Sequence, residues 1–237
     1  MSTLVRHLKG HLFLYDAAPM PAYGSAAGIR LLLIFLLVEG VIGPRFMLFN
    51  LLRLPQPPAL VRVVVLIALT LFLVRRFARL SLRSIGLRPW REWSVTERSY
   101  FVQTLVIANV VFGLVYAGRV LALIGHPNRW GTGLFVLLLS LLWGFHQELM
   151  YRGILQTELV RRWGPVPGVL VANLVFTFGP LHFYHFQRHA PLPMFAAIFA
   201  IGLLFAIIFR RSGNLAIVGI LHGLGDWYID GLGSFTI

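Results

Sequence analysis

Long apolar runs, separated by short connectors that carry arginine, recur from about residue 29 to the end of the chain. Runs of about 17–25 apolar residues span a bilayer as helices, because lipid offers no partner for an open backbone. Of 237 residues, 58% are hydrophobic and only 12% are charged, a composition of polytopic helical membrane proteins. A transmembrane β-barrel would show short alternating segments instead, and the chain lacks them. The expected fold class is therefore all-α, a polytopic transmembrane helical bundle of about seven spans.

The spans are expected at about 29–52, 59–74, 100–124, 131–160, 166–184, 192–209 and 215–229. The first is interrupted by Glu39, Gly40 and Gly43-Pro44-Arg45, a place to bend or break. Residues 75–98 carry seven arginines with Trp90 and Trp93, and read as a segment anchored at the headgroups. Three regions follow: 1–28 as a cytoplasmic N-terminal segment, 29–98 as anchoring spans and the arginine-rich stretch, and 99–237 as the core. Residues 1–27 lack the apolar length of a cleavable signal peptide, so the first span is expected to stay as an anchor.

The net charge of +13 comes almost wholly from arginine. Arg6, Lys9, residues 75–98, Arg161-Arg162 and Arg210-Arg211 all fall on one side of a seven-span path. By the positive-inside rule that side, and the N-terminus with it, is cytoplasmic. The charge is thus explained by topology and anionic lipid, and nucleic acid is not an expected partner. Twenty arginines against one lysine suggest a GC-rich bacterial genome, hence a bacterial inner membrane. With no cysteine, the chain has neither a thiolate nucleophile nor a cysteine-based zinc site.

Within the fourth span, His146-Gln147-Glu148-Leu149-Met150-Tyr151-Arg152 breaks the apolar pattern. Glu148 and Arg152 are one helical turn apart and share a face. A charge at the centre of a membrane helix costs roughly 2.5–3.5 kcal/mol, so two in one turn are expected to point inward and to work. Two later spans add polar residues at the same spacing: His182, four after Phe178, and Asp226, four after His222. Singly, each has a packing explanation; together they point to a site. Glu39 with Arg45 is a further intramembrane acid, read first as a structural ion pair and second as a group facing the same cavity. His185 and His189 extend a stripe from His182, and read as interfacial residues rather than metal ligands.

These residues resemble the CPBP family of intramembrane proteases (CAAX protease and bacteriocin-processing, also called Abi). Gln147-Glu148-Leu149-Met150-Tyr151-Arg152 is similar to its EExxxR motif, with Gln147 at the first glutamate. Phe178-Gly179-Pro180-Leu181-His182 matches FxxxH, and His222-Gly223-Leu224-Gly225-Asp226 matches HxxxN with Asp at its last position. The resemblance implies an all-helical membrane protease that hydrolyses a peptide bond near the membrane-associated C-terminal region of a client protein or peptide precursor. It makes Gln147, Glu148, Arg152, His182, His222 and Asp226 the catalytic set. In the roles so implied, Glu148 (or a glutamate at 147) and His182 activate water, His222 and Asp226 stabilise the oxyanion, and Arg152 fixes Glu148.

Gln147 departs from the pattern, since an amide cannot accept a proton at neutral pH. Three readings follow: a deliberate isosteric inactivation, a subgroup that uses Glu148 with His182, or a relative that binds its client without cutting. A non-hydrolytic immunity protein and a small transporter using Glu39, Glu148 and Arg152 are the competing functions. No serine or threonine stands beside a base, so water is the expected nucleophile. No cofactor is expected; the alternative is zinc held by Glu148, His182 and His222.

Overall fold

The computed structural model describes residues 20–43, 51–182, 186 and 191–232. Arg45, His185 and His189 lie outside the described residues, as does most of the N-terminal segment. The fold is an all-α polytopic membrane bundle. Helix α1 covers Ser25–Phe35 and continues as a π-helix over Leu36–Ile42, ending at Gly43 with φ 68°. Helix α2 is Ala59–Arg76, α3 Val95–Val115 and α4 Ala117–Ile124. Helix α5, Trp130–Glu148, runs through a π-helical stretch, Leu149–Gln156, into α6, Thr157–Trp163. Helices α7 (Pro165–Phe178), α8 (Pro191–Ser212) and α9 (Leu215–Asp226) complete the bundle, with a π-helical end at Trp227–Gly231.

Among the described residues four stretches are long and apolar enough to cross a membrane: Ser25–Ile42, Glu97–Val115, Pro127–Trp163 and Leu192–Ser212. Helix α7 is apolar but shorter, and α2 carries Arg62, Arg75 and Arg76. The expected third span breaks at Tyr116, whose φ of −108° and ψ of 27° separate α3 from α4. The arginine-rich segment forms two short 3₁₀ turns, Leu82–Ile85 and Trp90–Glu92. Trp93 donates its indole N–H to the Arg88 carbonyl at 3.1 Å, which turns the chain into α3. There Ser94 and Glu97 form a reciprocal cap on the first turn.

Small residues decide how closely the central helices meet. Gly144 of α5 lies against Gly223 of α9; a methyl on Gly144 would sit 2.4 Å from the Gly223 nitrogen. Gly219 and Gly223, four apart on α9, present one smooth face to α5, the packing that membrane helices use to bring backbones together. The core gathers Leu149, Met150 and Ile154 from the π-helical stretch with Leu31, Ile34, Leu66, Leu215 and Ile217.

The arginine-bearing end of the bundle is tied by Glu158, which is fully buried. It accepts hydrogen bonds from Arg161 at 2.8 Å, from Arg162, and from the Tyr23 hydroxyl at 3.0 Å. Burial, then the neighbouring Glu158 carboxylate, hold the Tyr23 phenol above its ordinary value, so it stays a donor at physiological pH. Gly28 of α1 packs on this carboxylate so closely that a methyl there would lie 2.2 Å from Oε1. Because three donors hold Glu158 in place, Gly28→Ala should destabilise the protein by about 1–3 kcal/mol, read as an earlier thermal melt in detergent. An unchanged melt would show that Glu158 can swing away.

Candidate active site

Glu148 ends α5, and the next turn is the π-helical stretch that carries Arg152. Such wide turns are frequent at functional sites. Both residues are buried, at 0% and 1% exposure. Arg152 Nε lies 3.2 Å from Glu148 Oε2, the one-turn ion pair expected from the spacing. The rest of the guanidinium is held by other means. Its Nη2 donates to the Gly202 carbonyl of α8 at 2.7 Å. Its plane rests 4.3 Å from the centroid of the Phe176 ring.

Across the glycine contact, His222 Nδ1 lies 2.6 Å from Glu148 Oε1. The carboxylate can only accept, so Nδ1–H donates. Gly223, next in sequence to His222, makes this reach possible. The other nitrogen, Nε2, faces Asp226 Oδ1 at 3.6 Å, too long for a hydrogen bond. Asp226 is one-third exposed (33%), which makes this the open end of the site. The His222 ring stacks on Phe205 with centroids 5.0 Å apart.

His182 is not on a helix. The expected fifth span reaches residue 184, but α7 stops at Phe178. Pro180 has no N–H to continue the ladder and disfavours helical backbone before it; Gly179 is accordingly extended, with ψ −173°. His182 sits on the following turn, its N–H bonded to the Gly179 carbonyl at 3.0 Å. Phe178 therefore does not face His182 as helical spacing would have it; it is 41% exposed and packs on Phe195. The aromatic partner is Phe176, whose ring lies 5.0 Å from the His182 ring and whose carbonyl lies 2.7 Å from His182 Nδ1. A carbonyl only accepts, so Nδ1 carries the proton and the neutral ring has its lone pair on Nε2.

Phe176 is the residue that sequence reasoning missed. Its ring touches Arg152, Tyr151, His182 and His222 at once. An apolar residue in an apolar helix gives no signal of such a role. Gln147 is half-buried and makes no hydrogen bond among the described residues. His146 is buried at 1% exposure, and neither ring nitrogen has a partner among the described residues.

Glu39 is 1% exposed and accepts a hydrogen bond from the Tyr151 hydroxyl at 3.0 Å. Its place beside Tyr151 puts it behind the site, whereas its expected partner Arg45 is outside the described residues. Tyr151 is flanked edge-on by Phe35 and Phe176. Among the described residues no hydrogen-bonded path runs from Glu39 through Tyr151 to Glu148, the path a proton-coupled carrier would need.

The zinc alternative meets an unsuitable donor set. Among the described residues no three His, Asp or Glu side chains come together as metal ligands. Glu148 has one oxygen on His222 and the other beside the Arg152 cation, a poor place for a second cation.

Residues 129–228 match the family model described as type II CAAX prenyl endopeptidase Rce1-like. The match covers all three motifs and bears out the likeness to the CPBP proteases. No curated protein and no solved structure matches the chain.

Proposed function

We propose that this integral membrane protein, Rce1-like over residues 129–228, is an intramembrane endopeptidase. It hydrolyses a peptide bond near the membrane-associated C-terminal region of a client protein or peptide precursor. The observation that carries this reading is the 2.6 Å contact of Glu148 with His222, made beside the Phe176 ring that His182 also touches. The contact joins the first and third motifs, and His182 of the second rests on the same Phe176 ring. The arginine distribution supports a cytoplasmic N-terminus in a bacterial inner membrane.

The proton acceptor in this reading is His182 Nε2, the ring nitrogen that carries the lone pair while Nδ1–H donates to the Phe176 carbonyl. Gln147 holds the water through its amide. The water oxygen adds to the carbonyl carbon of the scissile bond as its proton passes to His182. The resulting oxyanion takes a hydrogen bond from His222 Nε2, which requires the ring to carry both protons between Glu148 and Asp226. Carbon and nitrogen then part, and His182 returns the proton to the leaving amine. Arg152 keeps Glu148 oriented throughout. No step runs through a metal.

The test is cleavage of a tagged, membrane-anchored client by purified, reconstituted protein. Gln147→Glu should cut about tenfold faster than wild type, since a carboxylate beside the water shares the proton transfer that His182 performs alone. Intact client with both forms, while client binding persists, would replace the peptidase by a non-hydrolytic binder of the same fold.

A further inference from the structure

A cavity of about 300 Å³ opens at the arginine-bearing end of the bundle, behind the turn that carries Arg152. Its lining includes the basic Arg83, Arg88 and Arg210 and the apolar Met20, Val160 and Phe209. Ser84, Gln156 and Thr157 complete the polar lining. Its volume lies at the small end of the range for ligand sites. None of the residues given a role in hydrolysis lines it.

Arg83 and Arg88 carry more donors than their partners among the described residues take up. Arg83 uses only Nη2, on Glu92 at 2.6 Å, and Arg88 uses only Nη2, on Glu97 and the Ser212 carbonyl. A guanidinium fork has five N–H donors, so each keeps several for a further acceptor. Gln156 supplies the opposite character. It is buried at 1% exposure; its amide donates to the Ala206 carbonyl at 3.0 Å, while its Oε1 has no partner among the described residues. A buried acceptor without a donor is costly and calls for one.

We propose that this cavity is a binding site for the phosphoglycerol headgroup of an anionic phospholipid. The phosphate meets the arginine forks, a glycerol hydroxyl donates to Gln156 Oε1, and the start of the acyl region lies on Met20, Val160 and Phe209. The depth suits this occupant, because Arg75, Arg76, Arg161, Arg162, Arg210 and Arg211 end their helices at the same side, the level of headgroups. An ammonium headgroup would be repelled by the arginines, which selects phosphoglycerol over zwitterionic lipid.

Native mass spectrometry of the full chain, titrated with phosphatidylglycerol or phosphatidylcholine, tests this. Phosphatidylglycerol should bind at least about fivefold tighter, and Arg83→Gln and Arg210→Gln should each lose about fivefold. Gln156→Leu should narrow the preference over phosphatidylcholine. Arg91→Gln, on an exposed neighbour outside the cavity, should change nothing. Equal binding of the two lipids would overturn the site, as would an equal loss in Arg91→Gln, which would mean general surface charge. Inorganic phosphate that binds wild type in detergent as tightly as the lipid, and is lost in Arg83→Gln, would mark a free-phosphate site and overturn the lipid assignment. The outcome stands apart from the cleavage assay, so either reading can fail alone.

Discussion

Glu148→Gln should lower cleavage by about a hundredfold and also destabilise the fold. Two effects compete to set its size. Losing a charge-assisted hydrogen bond to His222 costs about 1.5–3 kcal/mol. Leaving Arg152 buried without its carboxylate costs more, about 3–5 kcal/mol, partly offset by its bond to Gly202 and its place over Phe176. The stability loss should therefore follow the arginine, and the activity loss the histidine. A double variant separates them: Glu148→Gln with Arg152→Gln removes the orphaned charge, so the melt should recover while cleavage stays absent. Turnover near wild type in Glu148→Gln with an unchanged melt would mean that His222 does not depend on this carboxylate.

Gly223→Ala should cost about a hundredfold in cleavage while leaving every polar side chain in place. The added methyl would lie 2.5 Å from the Leu141 Cα, 2.7 Å from the Ser140 carbonyl oxygen and 2.9 Å from the Leu141 nitrogen. All three atoms are backbone, so no side chain can turn aside, and α5 and α9 must separate by about 1 Å to restore ordinary contact. A displacement of about 1 Å in a catalytic constellation is enough for a hundredfold loss, and such overpacking costs about 1–3 kcal/mol of stability. The gap opens the 2.6 Å contact between Glu148 and His222, which sit on those two helices. Gly225→Ala is the matched control, because a methyl there meets the Phe112 ring at an ordinary 3.5 Å. If the two alanine variants melt and cleave alike, close helix approach is not what builds the site.

Part of this was legible from residue spacing. Glu148 with Arg152 and His222 with Asp226 are pairs within single helices, where a separation of four puts side chains on one face whatever lies around them. The first pair is 3.2 Å apart and the second 3.6 Å. His182 was expected on the fifth span and lies past the end of its helix. A four-residue spacing from Phe178 reads as helical, yet Gly179-Pro180 ends α7 there, and the hydrogen bond runs to the carbonyl of Phe176 instead. The glycine contact had a readable signal in Gly219 and Gly223, whose separation matches the small-residue motif of packed membrane helices.

Hydropathy and charge placement alone determined that this chain is a helical membrane bundle, since an apolar backbone in lipid can satisfy itself only as helix. They also singled out the polar residues that such a bundle cannot carry on its lipid face. Only the tertiary structure decided that Glu148 belongs to His222, that Phe176 is the ring they all lean on, and that Glu39 answers to Tyr151. Those contacts join residues up to 112 positions apart. Periodicity governs neighbours along one helix, whereas pairs across helices depend on how near two backbones come, here through Gly144 and Gly223.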